Sequence, residues 1–103
     1  MSEKKHKNLK GAGASTRSVH LGRESDNAYG AINPPIVESA SFGYDNLDDW
    51  QAAALYQKPG YIYTRNANPT CDQFEKKMAI LESAESATSF ATGMGAISTT
   101  LFA

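Results

Sequence analysis

Apolar side chains recur at helical spacing in two stretches of the chain, and each stretch follows a residue type that caps helices. The first stretch follows Asn46, and two acidic residues lie in its first turn, where the helix dipole favours negative charge. It predicts a helix over about residues 47–57. The second stretch follows Asn68 and has Pro69 at the first helical position, which the fixed φ of proline suits. It predicts a helix over residues 69–83.

The second predicted helix is amphipathic. Its apolar stripe consists of Cys71, Phe74, Met78 and Leu81. We interpret Phe74 and Met78 as core residues. We interpret Cys71 as a packed thiol rather than a nucleophile, because no histidine lies near it in the sequence. On the polar side, Asp72 and Lys76 are four residues apart, a spacing that permits an ion pair.

The segments around these helices have features of extended structure. Residues 30–37 contain two consecutive prolines, which fix φ and push the preceding residue away from the α conformation. Residues 61–63 are aromatic and β-branched, and residues 87–91 are predicted to form a short strand. A Thr-Gly-Met-Gly sequence then leads from that strand into a third helix, which is expected to begin near Ala96.

Composition argues against several classes of partner. The 103 residues carry 10 basic and 11 acidic side chains, and this near-neutral charge gives no reason to expect nucleic acid or a membrane surface. No apolar run approaches the roughly 18 residues that a membrane span needs. The single cysteine cannot form an internal disulfide, which fits a reducing compartment and hence the cytoplasm.

The last residues predict that the protein continues. The chain stops at Ala103, inside an apolar run without the glycine, proline or charged last turn that usually ends a helix. We therefore expect these 103 residues to be the front part of a longer protein. The alternative is a short native chain that ends in a buried helix.

The first candidate for binding chemistry is a tyrosine and an arginine two residues apart. Tyr63 and Arg65 lie on the predicted extended segment, where side chains two apart point to the same side. A guanidinium offers a planar fork of donors and a phenol offers a further O–H, a combination that suits an oxyanion such as phosphate. The alternative is a Tyr–Arg stack on the protein surface, without a ligand.

The second candidate is the turn Gly93-Met94-Gly95. A turn from a strand into a helix brings unbonded backbone N–H groups and the positive end of the helix dipole to one point, which makes an anion site. Gly-x-Gly also opens the fingerprint of dinucleotide-binding folds, but Ser98 occupies the third glycine position here. A tight turn without a ligand is the remaining alternative.

Several motifs of the chain, in order and spacing, resemble the trans-sulfuration family of pyridoxal-phosphate (PLP) enzymes. These enzymes of cysteine and methionine metabolism include cystathionine γ-synthase, the cystathionine and methionine γ-lyases and O-acetylhomoserine sulfhydrylase. The motifs are Thr16-Arg17-Ser18-Val19-His20, Gly30-Ala31-Ile32-Asn33-Pro34-Pro35-Ile36, Tyr63-Thr64-Arg65-Asn66-Ala67-Asn68-Pro69-Thr70, the stretch from Phe74 to Glu85, and Ala91-Thr92-Gly93-Met94-Gly95-Ala96-Ile97.

The resemblance implies a fold and a reaction class. The fold would be α/β, and the chain would be the N-terminal part of a fold-type I PLP-dependent transferase. The reaction would be β- or γ-elimination or γ-replacement on a small sulfur-related amino acid. Cysteine, homocysteine, methionine, cystathionine and O-acylhomoserine are the substrates that the family uses.

The resemblance also implies roles for the two candidate sites, with PLP as the cofactor and no metal. Tyr63 and Arg65 would contact the cofactor phosphate of the adjacent subunit, in a homotetramer built as a dimer of dimers. Gly93 and Met94 would give backbone N–H groups to the phosphate of their own subunit. The lysine that binds the cofactor covalently would lie downstream, so this piece would hold no catalytic residue and would be inactive alone.

The resemblance divides the chain into three regions. Residues 1–15 would be a disordered tail, residues 16–66 an extended N-terminal arm with one helix, and residues 67–103 the start of the PLP-binding domain. Arg17, in the arm, is expected to be an ion-pair partner.

Two other functions remain open: a nucleotide-binding α/β module that uses the Gly93-Met94-Gly95 turn, and an inactive truncated remnant. Bound PLP would colour the protein yellow, whereas a dinucleotide would not.

Overall fold

The computed structural model describes residue 9 and residues 11–21 and 28–103. These residues form four α-helices, which are α1 (Ala14–His20), α2 (Leu47–Ala54), α3 (Pro69–Leu81) and α4 (Gly93–Phe102). A 3-10 turn lies at Ala28–Gly30. The β-structure of the described residues is a single antiparallel bridge between Ser41 and Tyr63. Most of the tail predicted over residues 1–15 lies outside the described residues.

Helix α1 corrects the prediction of an arm that contains one helix. It lies across the predicted boundary between tail and arm, and it packs against α3. The Arg17 guanidinium donates a hydrogen bond to the Ile80 carbonyl oxygen at 2.6 Å. Arg17 therefore bonds a backbone carbonyl instead of the expected acidic partner. Its charge lies at the C-terminal end of α3, where the helix dipole favours a cation.

Both predicted N-caps are confirmed. The side-chain oxygen of Asn46 accepts a hydrogen bond from the Asp49 N–H at 2.8 Å. The side-chain oxygen of Asn68 accepts one from the Thr70 N–H at 2.8 Å, and Pro69 occupies the first position of α3. These bonds satisfy amides that have no acceptor inside the helix, and they fix where α2 and α3 begin.

Helices α2 and α3 both end earlier than predicted, and two residues beyond each end lies a non-glycine residue in the left-handed conformation. Tyr56 and Ser83 each have φ near 56°. In both cases the amide of the left-handed residue and the amide that follows it bond back to helix carbonyls, the arrangement known as a Schellman motif. The bonds are Tyr56 N–H to Ala53 O (3.1 Å), Gln57 N–H to Ala52 O (2.9 Å), Ser83 N–H to Ile80 O (3.4 Å) and Ala84 N–H to Ala79 O (2.8 Å).

The strand predicted over residues 87–91 is not formed. A strand needs a neighbour to complete its hydrogen-bond ladder, and the described residues provide none for this segment. The helix that follows begins at Gly93, earlier than the predicted Ala96. It begins there because Thr92 is an N-cap, whose side-chain oxygen accepts a hydrogen bond from the Gly95 N–H at 2.9 Å.

The described residues bury little apolar surface. Their buried members are Ala53, Ala79 and Asn68. Phe74, predicted to lie in the core, is 56% exposed, and Cys71, predicted to be a packed thiol, is also exposed. Met78 is half-buried. The apolar stripe of α3 is present as predicted, but no part of the described chain covers it completely.

Helix α4 is the most apolar helix and packs against no other helix of the described chain. Its exposed apolar side chains are Met94, Ile97, Leu101 and Phe102. Such a surface normally lies against other protein.

Across the described ranges, no helix combines the length and the apolar character required to cross a membrane.

Candidate functional site

The Tyr63–Arg65 pair lies where an extended segment meets a turn. The β-bridge is flanked by hydrogen bonds from Phe42 N–H to Ile62 O at 3.0 Å and from Thr64 N–H to Ala40 O at 2.9 Å. Immediately afterwards the chain reverses, because the Asn66 N–H bonds back to the Tyr63 carbonyl oxygen at 2.9 Å. Arg65 therefore lies within a turn, which corrects the prediction that both residues lie on one extended segment.

The two side chains nevertheless meet. Arg65 Cζ lies 5.5 Å from the centroid of the Tyr63 ring, a cation–π distance. Tyr63 is 44% exposed, and Arg65 is exposed as well. Within the described residues neither side chain has a hydrogen-bond or ion-pair partner, so the phenol O–H and the guanidinium fork are available to an acceptor from elsewhere. This geometry fits both the anion site and the surface stack.

Asn68 connects this turn to α3, a contact that sequence reasoning missed. Its amide nitrogen donates to the Val37 carbonyl oxygen and to Thr64 Oγ1, both at 3.1 Å. The Thr70 hydroxyl oxygen accepts from the Val37 N–H at 2.9 Å. The sequence indicated only that Asn68 would cap the helix. Val37 lies 31 positions from Asn68 and 33 positions from Thr70, so no local sequence pattern indicated these bonds.

Two tyrosine hydroxyls form hydrogen bonds that fix the segment leading into the turn. The Tyr44 hydroxyl donates to the Tyr61 carbonyl oxygen at 2.9 Å, and the Tyr61 hydroxyl donates to an Asp72 carboxylate oxygen at 2.8 Å. A Cβ at Gly60 would overlap the Tyr44 hydroxyl and would lie 3.1 Å from the Ala53 Cβ, so a larger residue here would displace Tyr44 from its bond to Tyr61. Asp72 therefore bonds Tyr61 instead of forming the predicted ion pair with Lys76.

The second candidate lies at the N-terminus of α4. Thr92 satisfies two amides there, accepting from Gly95 N–H at 2.9 Å and from Ala96 N–H at 3.1 Å. The N–H groups of Gly93 and Met94 have no acceptor among the described residues, as expected for the first positions of a helix. A Cβ at Gly93 would meet no atom within 4 Å, and Met94 is 71% exposed. The two amides are therefore open to a ligand.

Both parts have the chemistry that a phosphate group needs. The Tyr63–Arg65 pair supplies one positive charge and a planar set of donors, and the start of α4 supplies two amides and the positive end of a dipole. No hydrogen bond within the described ranges joins the pair to α4. Nor do the described residues contain a group of three or more His, Cys, Asp or Glu that could hold a metal ion.

Comparison with known proteins gives consistent matches. A family described as Cys/Met metabolism PLP-dependent enzyme matches residues 15–103. The chain is 38% identical over 98 residues to an L-methionine gamma-lyase of Porphyromonas gingivalis, covering 95% of this chain and 24% of that protein. It is 37% identical over 82 residues to a homocysteine synthase of Schizosaccharomyces pombe, covering 80% of this chain and 19% of that protein.

A solved structure is similar as well. Cystathionine gamma synthase from Xanthomonas oryzae pv. oryzae, in complex with aminoacrylate and cysteine, gives a TM-score of 0.69 and 40% sequence identity. The similarity covers 84% of this chain and 20% of that one. The chain therefore spans about a quarter or less of the length of the proteins it matches.

Proposed function

This chain belongs to the Cys/Met metabolism family of PLP-dependent enzymes, and we propose that it supplies phosphate-binding elements to a longer enzyme of sulfur amino acid metabolism. The predicted family and fold class are confirmed, since the described residues form a helical N-terminal piece of the α/β fold seen in cystathionine gamma synthase. Bound PLP supplies an electron sink for reactions at the amino-acid carbons, while the protein supplies binding and orientation.

The proposed roles rest on the unbonded donors of the two candidate sites and on the subunit arrangement that the family resemblance implies. Gly93 and Met94 direct their N–H groups to the phosphate of the cofactor in their own subunit. Tyr63 and Arg65 direct a phenol O–H and a guanidinium to the phosphate of the cofactor in an adjacent subunit. The observation that carries this proposal is that the pair is exposed and has no hydrogen-bond or ion-pair partner in the described chain.

The proposed reaction stays at the level that the relatives share. One relative is named a lyase and another a synthase, so we propose β- or γ-elimination or γ-replacement on a sulfur amino acid or an O-acylhomoserine. We propose a homotetramer, arranged as a dimer of dimers and located in the cytoplasm, with residues 16–66 as the arm and residues 67–103 as the start of the cofactor domain. The free thiol of Cys71 fits a reducing compartment.

A mixed-oligomer experiment on the full-length enzyme tests the shared site. One subunit carries Arg65→Ala, and the other lacks the lysine that binds the cofactor covalently. If Arg65 reaches the neighbour's cofactor, one kind of site in the mixed oligomer combines both lesions while the other kind is intact. Activity should reappear on mixing, although the lysine variant alone is inactive and Arg65→Ala alone is weak.

The experiment needs proof that mixed oligomers form, which differently tagged subunits and two-step affinity purification provide. If activity does not return in purified mixed oligomers, Arg65 acts within its own subunit or has no role in cofactor binding. Either result would refute the shared site. Mixing each variant with itself gives the baseline, because those samples contain no intact combination.

A further inference from the structure

Asn68 uses every hydrogen-bonding group of its side-chain amide. The carbonyl oxygen accepts from the Thr70 N–H at 2.8 Å, and the nitrogen donates to the Val37 carbonyl oxygen and to Thr64 Oγ1, both at 3.1 Å. Only 4% of the residue is exposed, which makes it the one buried polar residue among those described. A buried amide with all its partners fixes the relative positions of the segments it connects.

Capping α3 requires only part of this set. An N-cap needs one oxygen acceptor, which serine, threonine and aspartate supply as well as asparagine. Of these residues, only asparagine combines that acceptor with two N–H donors on one group. The nitrogen of Asn68 therefore serves a purpose beyond capping, which is to hold the arm at Val37 and the turn at Thr64 against the first turn of α3.

Thr64 lies between the two residues of the proposed phosphate-binding pair. Its hydroxyl accepts from Asn68 and donates to the Ser39 carbonyl oxygen at 2.6 Å, while its backbone N–H donates to the Ala40 carbonyl oxygen at 2.9 Å. These three bonds fix the backbone from which the side chains of Tyr63 and Arg65 extend. A shift of this backbone would displace the Tyr63 hydroxyl and the Arg65 guanidinium together.

We infer that Asn68 is a positioning residue for the Tyr63–Arg65 pair: its amide nitrogen holds the turn in the geometry that presents both side chains to one oxyanion. The inference rests on the proposed phosphate role of the pair. It assigns no contact between Asn68 and the cofactor. Asn68 acts through Thr64 and the turn.

Isosteric substitutions separate positioning from capping. Asn68→Asp keeps the capping oxygen and the shape but removes both donors. Thr64→Val removes the hydroxyl that links Asn68 to Ser39, and Thr64→Ser restores it. The control is Asn46→Ser, because Asn46 also caps a helix through its side-chain oxygen, accepting from the amide three residues on rather than two, and serine caps equally well. If the buried charge prevents Asn68→Asp from folding, the comparison of Thr64→Val with Thr64→Ser still tests whether these hydrogen bonds position the turn.

Two measurements on the full-length protein provide the readout. Hydrogen exchange of a peptide covering residues 62–68, followed by mass spectrometry without cofactor, reports on the turn itself. Titration of the cofactor-free protein with PLP gives a dissociation constant. Losing two hydrogen bonds should raise that constant by roughly 5- to 150-fold. We expect Asn68→Asp and Thr64→Val to accelerate exchange and weaken binding, Thr64→Ser to restore most of both, and Asn46→Ser to change neither.

Two outcomes would overturn the inference. In the first, exchange over residues 62–68 stays at the wild-type rate in Asn68→Asp and Thr64→Val. In the second, exchange accelerates and PLP binding is unchanged, although Arg65→Ala weakens it. If Arg65→Ala itself leaves binding unchanged, the proposed phosphate role fails instead. The exchange data then still report whether Asn68 holds the turn, so the two failures are distinguishable.

Discussion

Glu75 and Ser89 are joined by two hydrogen bonds to a single carboxylate oxygen. Glu75 Oε1 accepts from the Ser89 backbone N–H at 2.7 Å and from the Ser89 hydroxyl at 2.7 Å. Ser89 lies in the segment that was predicted to be a strand, and this contact replaces a ladder as its attachment to α3. Helix α4 begins only four residues later, at Gly93. Glu75 therefore anchors the segment that leads into α4.

Removing the Glu75 carboxylate should destabilise this attachment. Hydrogen bonds to charged groups contribute about 1.5–3 kcal/mol, so Glu75→Ala should lower the free energy of unfolding of the full-length protein by about that amount. Glu75→Gln keeps a carbonyl acceptor and should cost less. Denaturant titration measures both. Glu82→Gln, an exposed glutamate beyond the end of α3, is the control and should be nearly neutral. Equal stability of Glu75→Ala and wild type would show that the contact contributes nothing.

The left-handed residues that end α2 and α3 offer stabilising substitutions. Ser83 has φ of 56° and is exposed, so Ser83→Gly removes the strain of a Cβ in this region and no buried contact. The steric relief exceeds the entropy cost of glycine, and we expect a gain of about 0.5–1 kcal/mol in unfolding free energy. Ser83→Ala keeps the Cβ and should give no gain. A destabilised Ser83→Gly would contradict the Schellman geometry.

Sequence reasoning succeeded where the chemistry is local. Asn46 and Asn68 cap helices where expected because a cap involves residues two or three positions apart. Tyr63 and Arg65 meet as their spacing suggested, although a turn rather than a strand brings them together. The motifs around these residues also indicated the correct family.

The contacts that the sequence could not predict connect distant residues. Arg17 and Ile80 are 63 positions apart, and nothing near Arg17 distinguishes a carbonyl partner from a carboxylate. The strand over residues 87–91 failed for a related reason, since a β-prone segment forms a strand only beside a partner. The position of Phe74 on an apolar stripe predicts a core residue, but the described residues leave it 56% exposed.

Arg65 should be necessary for tight cofactor binding in the full-length enzyme. A guanidinium gives a bidentate, charge-assisted contact to a phosphate, and its loss should cost on the order of 2–3 kcal/mol, or roughly 30- to 150-fold in affinity. Arg65→Lys should recover only part, because an ammonium lacks the fork. PLP titration of the cofactor-free protein measures the effect. Lys76→Ala, which removes an exposed cation from α3, is the control for net charge.

The ion pair between Lys58 and Asp49 should give a pH-dependent contribution to stability. Lys58 Nζ lies 2.7 Å from Asp49 Oδ1. The hydrogen bond from Lys58 and a second one from Asn46 lower the pKa of Asp49. The contact between Lys58 and Asp49 also raises the pKa of Lys58. Because the folded pKa of Asp49 is depressed, its contribution is present above the ordinary carboxylate pKa of about 4 and is lost as pH falls through the folded value.

The stability difference between wild type and Asp49→Asn should therefore shrink as the pH is lowered below about 4. The raised pKa of Lys58 sets the limit at high pH. The contribution of Lys58 to stability is complete below about pH 10.4, the ordinary pKa of lysine, and is lost as the pH rises through its pKa in the folded protein. Both partners are exposed, so molar salt should reduce the difference further. Unfolding midpoints across the pH range provide the test, and a difference that grows in acid would refute the pairing.

No single lysine of these 103 residues should form a stoichiometric covalent adduct with PLP. Reaction with an aldehyde requires an unprotonated amine, and a desolvated pocket is the usual way to obtain one near neutral pH. Lys58 is in the opposite situation, because its contact with Asp49 raises its pKa and its side chain is 59% exposed. Lys76 is exposed and Lys77 half-buried on the surface of α3, and the remaining lysines, at positions 4, 5, 7 and 10, lie outside the described residues. Borohydride reduction of the chain mixed with PLP, followed by mass mapping, should therefore show only scattered, substoichiometric labelling. A single complete adduct, at Lys58 for example, would place the covalent lysine within this chain and would contradict the expectation, implied by the family resemblance, that it lies downstream.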